Sequence, residues 1–308
     1  MFDWDVVIIG GGPAGLSAGI YLSRAMRRVL LLDKDVAGGY LRNIELIENY
    51  PGYPDGISGA ALASQMVAQA QKFGVRIENA DVTGIESFSG TRYVACAGGQ
   101  GYTTNVVIIA AGSKNKKLNV PGEAELLGRG VFECALCDGG QYEGKTVAVC
   151  GGGDAGVTEA LYMSRIASKV ICIEAMPKLT ATAILQERLA ATPNIEVRVG
   201  TSVTAILGQD KVEAVELMSD GKKETLKVDG VLVHIGLEPN TAYLEGVVPL
   251  DKQGQVVVSK TMESEEPYIF AAGDVRSGSP RQVVVAVADG AMAALSAERL
   301  LQEDVSTQ

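Results

Sequence analysis

The chain is short of the residues that mark several protein classes, and each shortage excludes something. It has one histidine, His234, among 308 residues. A tetrahedral zinc site needs four ligands, and a lone histidine far along the chain from the cysteines contributes little toward one. Cysteines number 5, too few and too scattered for the disulfide framework of a secreted scaffold. Cys96, Cys150 and Cys172 stand in or beside apolar runs, where a thiol behaves as a small hydrophobe. Lys and Arg total 27 against 37 Asp and Glu, a net charge of −10. That balance argues against nucleic acid or a membrane surface as partner, because both favour a basic face. No apolar stretch reaches bilayer-spanning length without a glycine or charge inside it. Met1-Phe2-Asp3-Trp4-Asp5 has neither a basic n-region nor a long apolar core, so the expectation is a soluble cytoplasmic protein without a secretory signal.

Glycine, by contrast, is plentiful at 37 residues, within a chain that is 47% hydrophobic and only 5% aromatic. This suits an α/β protein of tight turns and closely packed small side chains, and the length calls for two domains. Two segments read as copies of one design. Val6-Val7-Ile8-Ile9 leads into Gly10-Gly11-Gly12-Pro13-Ala14-Gly15, and Val29-Leu30-Leu31-Leu32 later ends at Asp33. Thr146-Val147-Ala148-Val149-Cys150 leads into Gly151-Gly152-Gly153-Asp154-Ala155-Gly156, and Val170-Ile171-Cys172-Ile173 ends at Glu174. The acid falls 23 positions after the first glycine in both copies. Such a repeat predicts two βαβ nucleotide-binding units.

The expected fold class is therefore α/β, with two Rossmann-like nucleotide-binding domains of three-layer ββα type, the second inserted into the first. Residues 1–115 and 241–308 form the first domain and residues 116–240 the second. Residues 106–109 and 231–236 read as buried parallel strands, and 268–274 as a third. Residues 93–97 and 255–258 read as short strands of small antiparallel sheets, and 112–121 as a linker in which Lys114, Lys116 and Lys117 are solvated. Residues 283–301 form a helix apolar nearly all round, which predicts that it is buried.

Each glycine of the fingerprints has a purpose. The first permits the turn from strand to helix, the second lets the backbone approach a pyrophosphate, and the third lets helix pack on strand. The helix start then offers free N–H groups and a positive dipole end to phosphate, and the distal acid suits a ribose hydroxyl.

Cys134-Ala135-Leu136-Cys137 is followed by Asp138-Gly139 and stands just ahead of the second fingerprint. A CxxC by itself fits a redox pair, half a zinc site or a chance spacing. No second CxxC exists to complete a zinc site. Beside two nucleotide fingerprints, the pair points to electrons moving between cofactors and a disulfide. Asp138 is an acid/base for the departing thiol or a turn-former of an Asp-Gly pair. His234 reads as a satisfied core histidine.

Residues 10–15, Glu48-Asn49-Tyr50-Pro51-Gly52, the CxxC with Asp138-Gly139, residues 151–156, Phe270-Ala271-Ala272-Gly273-Asp274 and Arg281-Gln282 stand in the order and spacing of one family. Over essentially its whole length the chain resembles the low-molecular-weight, bacterial-type thioredoxin reductases. The resemblance implies FAD in the first domain. Gly10, Gly12, Pro13, Ala14 and Gly15 would meet its pyrophosphate and Asp33 its adenosine ribose. Asn49 would lie near the isoalloxazine, Asp274 would hold the ribityl chain, and Arg281 and Gln282 would approach the flavin. Gly39, Val82, Ala111, Gly112, Gly273 and Val283 would line the same site. It further implies that Cys137 is the flavin-proximal sulfur and Cys134 the one that attacks a thioredoxin-like disulfide protein, in a cytoplasmic homodimer. The rivals are a dithiol oxidase that passes electrons through FAD to oxygen, and a flavin-binding redox sensor.

The chain departs from this family at the electron donor. NADPH-dependent members carry His-Arg-Arg at the end of the second strand and a further Arg beyond, and these clamp the 2′-phosphate. Here Glu174-Ala175-Met176 and Thr180 occupy those positions, with only Lys178 as a nearby base. A guanidinium binds phosphate by charge-assisted, often bidentate bonds, and a carboxylate repels it. Gly151, Gly153, Asp154, Ala155, Gly156 and Glu174 are thus expected to suit NADH, or the donor is a non-nicotinamide one such as ferredoxin or a deazaflavin.

Overall fold

The computed structural model describes residues 2–88 and 90–306, the last three of these by backbone only. Two compact units are present, one of Met1–Lys114 with Glu238–Gln308, the other of Asn115–Leu237. The first unit opens with β1 (Trp4–Ile9), α1 (Pro13–Arg24), β2 (Val29–Asp33), α2 (Gly59–Lys72) and β3 (Arg76–Asn79). Then come β4 (Val82–Phe88), β5 (Thr91–Cys96) and β6 (Gly101–Ile109). Helix α1 starts with Pro13 behind the cap residue Gly12, a position where proline's missing N–H costs nothing. Helix α2 starts where Ser58 Oγ accepts the amide of Ala61, as a serine cap should.

The chain leaves this unit through β7 (Ser113–Asn115) and returns through β16 (Leu237–Pro239), and these two segments pair with one another. The crossings therefore fall at 114/115 and 237/238, rather than at 115/116 and 240/241. Between them lie β8 (Val131–Phe132), α3 (Ala135–Asp138), β9 (Thr146–Cys150), α4 (Asp154–Met163), β10 (Lys169–Ile173), α5 (Ala183–Ala190) and β11 (Ile195–Arg198). The meander β12 (Thr201–Leu207), β13 (Ala214–Ser219), β14 (Lys222–Lys227) and the strand β15 (Gly230–Val233) complete the second unit. After the return come β17 (Ile269–Ala271) and α6 (Val283–Ser306).

Both units carry the same parallel sheet. In the first, β3-β2-β1-β6 is extended by β17 on β6. In the second the order is β11-β10-β9-β15-β8. Strand β6 changes partner along its length: Gly101 to Thr104 pair antiparallel with β5, whereas Val107 to Ile109 pair parallel with β17. Side chains of β1 alternate as a strand requires. Val6 and Ile8 pack with the helices, and Val7 and Ile9 pack on the other face with the antiparallel strands. In β9, Val147 and Val149 face the helices while Ala148 and Cys150 face the meander. Burial on both faces explains why these strands read as unbroken apolar runs.

Two further expectations need correction. Residues 255–258 form no strand; Val256 makes only isolated bridges to Leu250 and Arg276. Helix α6 is buried on one face alone. Its inner face packs against α1, where Ser17 Oγ donates to the Val287 carbonyl (2.8 Å), and Gly290 lies directly on Ala14. Val284, Met292 and Leu295 stand 40%, 44% and 53% exposed on the outside. A helix laid on one layer presents only one stripe to it, and here the opposite stripe is apolar as well. Among the described residues no helix is long and apolar enough to cross a membrane.

The only histidine sits where the second sheet ends. His234 N donates to the Cys150 carbonyl (2.8 Å), extending the pairing of β15 with β9. The residue is 6% exposed, and its Nε2 lies 2.9 Å from the Glu133 carbonyl oxygen. A carbonyl only accepts, so Nε2 carries the hydrogen and donates it. Burial pushes this imidazole below its ordinary value, opposed by that bond. The unfolded chain therefore takes up a proton below about pH 6.5 that the folded chain refuses. Stability should fall as pH drops through that window, by at most about 1.4 kcal/mol per pH unit, and be flat above it. The thermal midpoint between pH 7.5 and 5.5 checks this, and His234→Gln should remove the dependence.

Candidate functional site

The two fingerprint loops share a construction. In the first, β1 runs into Gly10 at φ +106°, whose amide donates to the Leu32 carbonyl (2.8 Å). A Cβ on Gly10 would strike the Ala110 backbone, and one on Gly15 would strike the Gly10 carbonyl. The protein itself therefore demands glycine at these two places. Gly12 differs, because a Cβ added there meets nothing within 4 Å. A residue kept bare with open space before it, at the start of α1, is what a bound pyrophosphate requires.

The second loop repeats this. Gly151 has φ +125° and lies on the His234 carbonyl, while Gly156 lies on the Gly151 carbonyl. Gly153 faces only Thr180 Oγ1, at 3.6 Å. Asp154 and Ala155 open α4, and Asp154 Oδ1 accepts the Thr182 amide at 2.6 Å.

The two acids do more than await a ribose. Asp33 Oδ2 accepts the Gly11 amide (2.6 Å) and its Oδ1 the Asp35 amide (2.9 Å). Glu174 Oε2 accepts the Gly152 amide (2.6 Å) and its Oε1 the Met176 amide (2.8 Å). Each carboxylate clamps its glycine loop to the end of the neighbouring strand. Each oxygen retains a second lone pair with which it can accept a hydroxyl.

Other residues of the first unit converge on the end of its parallel strands. A Cβ on Gly39 would come within 2.9 Å of Gly12 Cα, and one on Gly273 within 3.0 Å of Ala14 Cβ. Asp274 thus follows β17 directly beside the first turn of α1, which Pro13 begins. Burial raises its carboxyl, with Arg281 opposing, and Ser279 Oγ donates to it at 3.4 Å. Ala111 and Gly112 follow β6, and the Ala111 carbonyl accepts Asn240 Nδ2 (2.8 Å). Asn49 Nδ2 donates to Gln282 Oε1 (3.0 Å), which ties the loop carrying Asn49 to the residues before Val283, where α6 begins. Val82 opens β4 just after Ala80, whose amide donates to the Asp33 carbonyl (2.9 Å). The ends of parallel strands, with a helix start between them, are where open α/β sheets receive ligands.

Sequence reasoning missed what holds Asp274 in place. Asp289 of α6 accepts the Gly273 amide (3.2 Å) and both Nε (2.6 Å) and Nη2 (3.0 Å) of Arg276. The ion pair is nearly buried, at 15% and 6% side-chain exposure. An aspartate inside an apolar helix was the available signal.

In the second unit Cys134 and Cys137 form a disulfide, with Cα atoms 5.3 Å apart. Strand β8 delivers the chain to Cys134, which is extended and precedes the single turn of α3. The Cys137 amide points at Cys134 Sγ (3.1 Å) and the Asp138 amide donates to the Cys134 carbonyl (3.1 Å). Cys134 and Asp138 are half-buried, whereas Leu136 and Cys137 are exposed. Tyr142 lies behind the turn, stacked on Phe132 at 4.6 Å. Burial raises its phenol, and the charge of Asp138 raises it further. Glu159 of α4 accepts the Ala135 amide (2.8 Å), a contact invisible in the sequence because it spans two elements.

The remaining thiols are chemically quiet. Cys96, Cys150 and Cys172 are free and buried, and burial pushes Cys150 to about 12 and Cys172 to about 11. No group of His, Cys, Asp or Glu among the described residues could hold a metal ion.

Past Glu174, Ala175, Met176 and Lys178 are exposed. The Thr180 and Ala181 amides fold back onto the Gly152 carbonyl (2.9 and 3.0 Å). The nearest strand offers Arg198, but its guanidinium is bound to Glu196 (2.6 Å) and Glu224 (2.8 Å).

Known proteins share this architecture and these motifs. The family described as pyridine nucleotide-disulphide oxidoreductase matches residues 4–290. A thioredoxin reductase from Bacillus subtilis is 40% identical over 304 residues, which cover 97% of this chain and 95% of that one. The crystal structure of thioredoxin reductase from Lactococcus lactis superposes with a TM-score of 0.95 at 35% identity, covering 98% of this chain and all of the other. A ferredoxin-flavin thioredoxin reductase from Clostridium acetobutylicum is 30% identical with a TM-score of 0.53, covering 97% and 98%. These relatives are flavoprotein oxidoreductases of one kind, and the chain belongs with them to the pyridine nucleotide-disulphide oxidoreductase family, in its low-molecular-weight thioredoxin reductase group.

Proposed function

We propose that the protein is an FAD-dependent disulfide reductase acting on thioredoxin or a similar small disulfide protein. The observation that carries this is the Cys134–Cys137 disulfide, set at the end of β8 in a unit with its own nucleotide loop. FAD, when bound, supplies the electron pair that opens this disulfide. Gly10, Gly12 and Gly15 with the start of α1 would take its pyrophosphate, and Asp33 its adenosine ribose. Asp274, held by Asp289 and Arg276, would take the ribityl chain, and Asn49 with Gln282 would border the ring.

The rest is thiol chemistry. The Cys134 thiolate attacks one sulfur of the partner's disulfide, forming a mixed disulfide and releasing a partner thiolate. Cys137 then attacks Cys134 Sγ, which restores the internal disulfide and releases the second partner thiol. Two electrons pass to the partner and two protons follow. Asp138, on the same turn, would hold one of them. The exposed apolar stripe of α6 supplies a face for a second copy in a homodimer, and such a reductase belongs in the reducing cytoplasm.

Single Cys134→Ser and Cys137→Ser proteins should keep their flavin and lose all turnover with thioredoxin. Cys137→Ser should also trap a covalent adduct with thioredoxin on a non-reducing gel, because nothing resolves it. An adduct from Cys134→Ser instead would reverse the roles, and turnover in either variant would defeat the reading. Peroxide formed on adding a dithiol, without thioredoxin reduction, would favour the oxidase.

The donor proposed is NADH in preference to NADPH. Ala175, Met176 and Thr180 present no cation to a 2′-phosphate, and Arg198 is committed elsewhere. Glu174 would stand beside that phosphate, and like charges there are unfavourable. A ribose hydroxyl is acceptable to the same carboxylate. Anaerobic titration should bleach the flavin with NADH at roughly tenfold or more lower concentration than with NADPH, a difference of about 1.4 kcal/mol. The reverse order would overturn this. Bleaching by neither would also overturn it, in favour of a protein donor such as the Clostridium relative's name describes.

A further inference from the structure

Cys134 is clamped on both sides by side chains to which the thiol exchange assigns no part. On the side of Glu133, His234 Nε2 donates to that residue's carbonyl (2.9 Å). On the side of Ala135, Glu159 Oε2 accepts the amide (2.8 Å). Glu159 comes from the second turn of α4, so the fingerprint helix and the redox turn are joined through it. The two clamps differ in charge. Burial holds the His234 imidazole below its ordinary value, which leaves it neutral at neutral pH. Glu159 receives an amide hydrogen, and such a bond favours the ionised carboxylate.

Other titratable groups stand around the turn. Asp138 belongs to the turn itself and adds a carboxylate. Tyr142, from the turn behind, has its phenol pushed up by burial and by Asp138, so it stays neutral. On α4, Asp154 accepts the Thr182 amide (2.6 Å), and the Arg165 guanidinium lies 4.9 Å from the centre of the Tyr162 ring.

We propose that Glu159 is a positioning residue that also sets the redox poise of the Cys134–Cys137 pair, by holding a negative charge one residue from Cys134. The proposal rests on the reading of this pair as the redox centre. Opening the disulfide takes two electrons and one proton to give a thiol and a thiolate, or two electrons and two protons to give two thiols. A fixed carboxylate nearby disfavours the thiolate and so stabilises the disulfide relative to its reduced form. The couple is thereby made more reducing, which suits a protein that passes electrons onward. The opposite arrangement, a stabilised reduced form, is what makes a dithiol protein a strong oxidant. Replacing the carboxylate by an amide makes the field at the sulfurs more positive by one charge, whatever cation stands beyond it.

Glu159→Gln separates position from charge, because a glutamine oxygen can still accept the Ala135 amide. Flavin-loaded wild-type and variant proteins are equilibrated anaerobically with graded ratios of reduced and oxidised dithiothreitol. After acid quenching and alkylation, mass spectrometry of the peptide holding Cys134 and Cys137 reads the dithiol fraction. The variant's equilibrium constant should move about tenfold toward the dithiol, which for a two-electron couple is about 30 mV. Iodoacetamide should also label its reduced Cys134 several-fold faster at pH 7, since the thiolate is the reactive species. An equilibrium within twofold of wild type, or a shift toward the disulfide, overturns the proposal. Should Glu159→Gln fail to accumulate, Glu159→Asp keeps the charge and shortens the reach. A wild-type poise in that variant supports the charge account, and a tenfold shift overturns it. A wild-type pair that never exchanges with dithiothreitol overturns the functional reading as well, whereas a pair that titrates but ignores Glu159→Gln overturns this inference alone.

Discussion

A carboxylate at the end of one strand holding the amide of a glycine at the end of the next is the contact on which both halves of this molecule are organised. Asp33 does this to Gly11 and Glu174 to Gly152, at the same 2.6 Å. The loop is otherwise a run of three glycines, and glycine is the residue that loses most freedom on ordering. An anionic acceptor for a backbone N–H is among the stronger hydrogen bonds available. It fixes the loop in the shape that aims the start of α1, or of α4, into the space before the sheet. Gly12 can then remain bare in front of that space, while Gly10 and Gly15 are bare because the backbone leaves them no choice. A nucleotide arriving at either loop would meet a backbone already shaped by this clamp.

Five cysteines in one chain would be a hazard for a redox protein unless they differed chemically. They differ by burial. Cys150 and Cys172 lie in the sheet of the second unit, where an ionised sulfur would be unsolvated. Cys96 lies in the first unit, raised by burial and by the carboxylates of Asp81 and Glu78. Only Cys134 and Cys137 occupy a turn reached by solvent. Thiol exchange is a reaction of thiolates, so the quiet cysteines are excluded from it by position.

The sequence disclosed whatever depends on local pattern. Apolar runs of β1, β6, β9 and β15 announced buried parallel strands, and the matched fingerprints announced the duplicated plan. Adjacent residues also announced the redox pair. Contacts between distant residues left no such trace. Asp289 is an acid within an apolar stretch of sequence, and only the fold shows Arg276 and the Gly273 amide against it. Glu159 and His234 bracket Cys134 from 24 and 101 positions away from the residues they bind. Helix α6 misled for a related reason. Its composition records that many of its faces are apolar, whereas burial depends on how many neighbours the fold provides. Residues 256–258 are three β-branched valines, as a strand would favour, but Val256 finds only single bridges.

The divided pairing of β6 imposes an order on manufacture. Its second half waits for β17, and the strand that will lie beside Val107 to Ile109 is translated only after the entire second unit. A ribosome therefore releases a complete redox unit while the first sheet still lacks its last strand and its longest helix. Asp274, Gln282 and the ion pair that steadies them arrive with that final stretch. Any nascent chain cut short before it would carry Cys134 and Cys137 but lack Asp274 and Gln282, two of the residues proposed to hold the flavin. On the proposed reading, truncated products would lack residues that hold the flavin, and their cysteines would have no internal source of electrons.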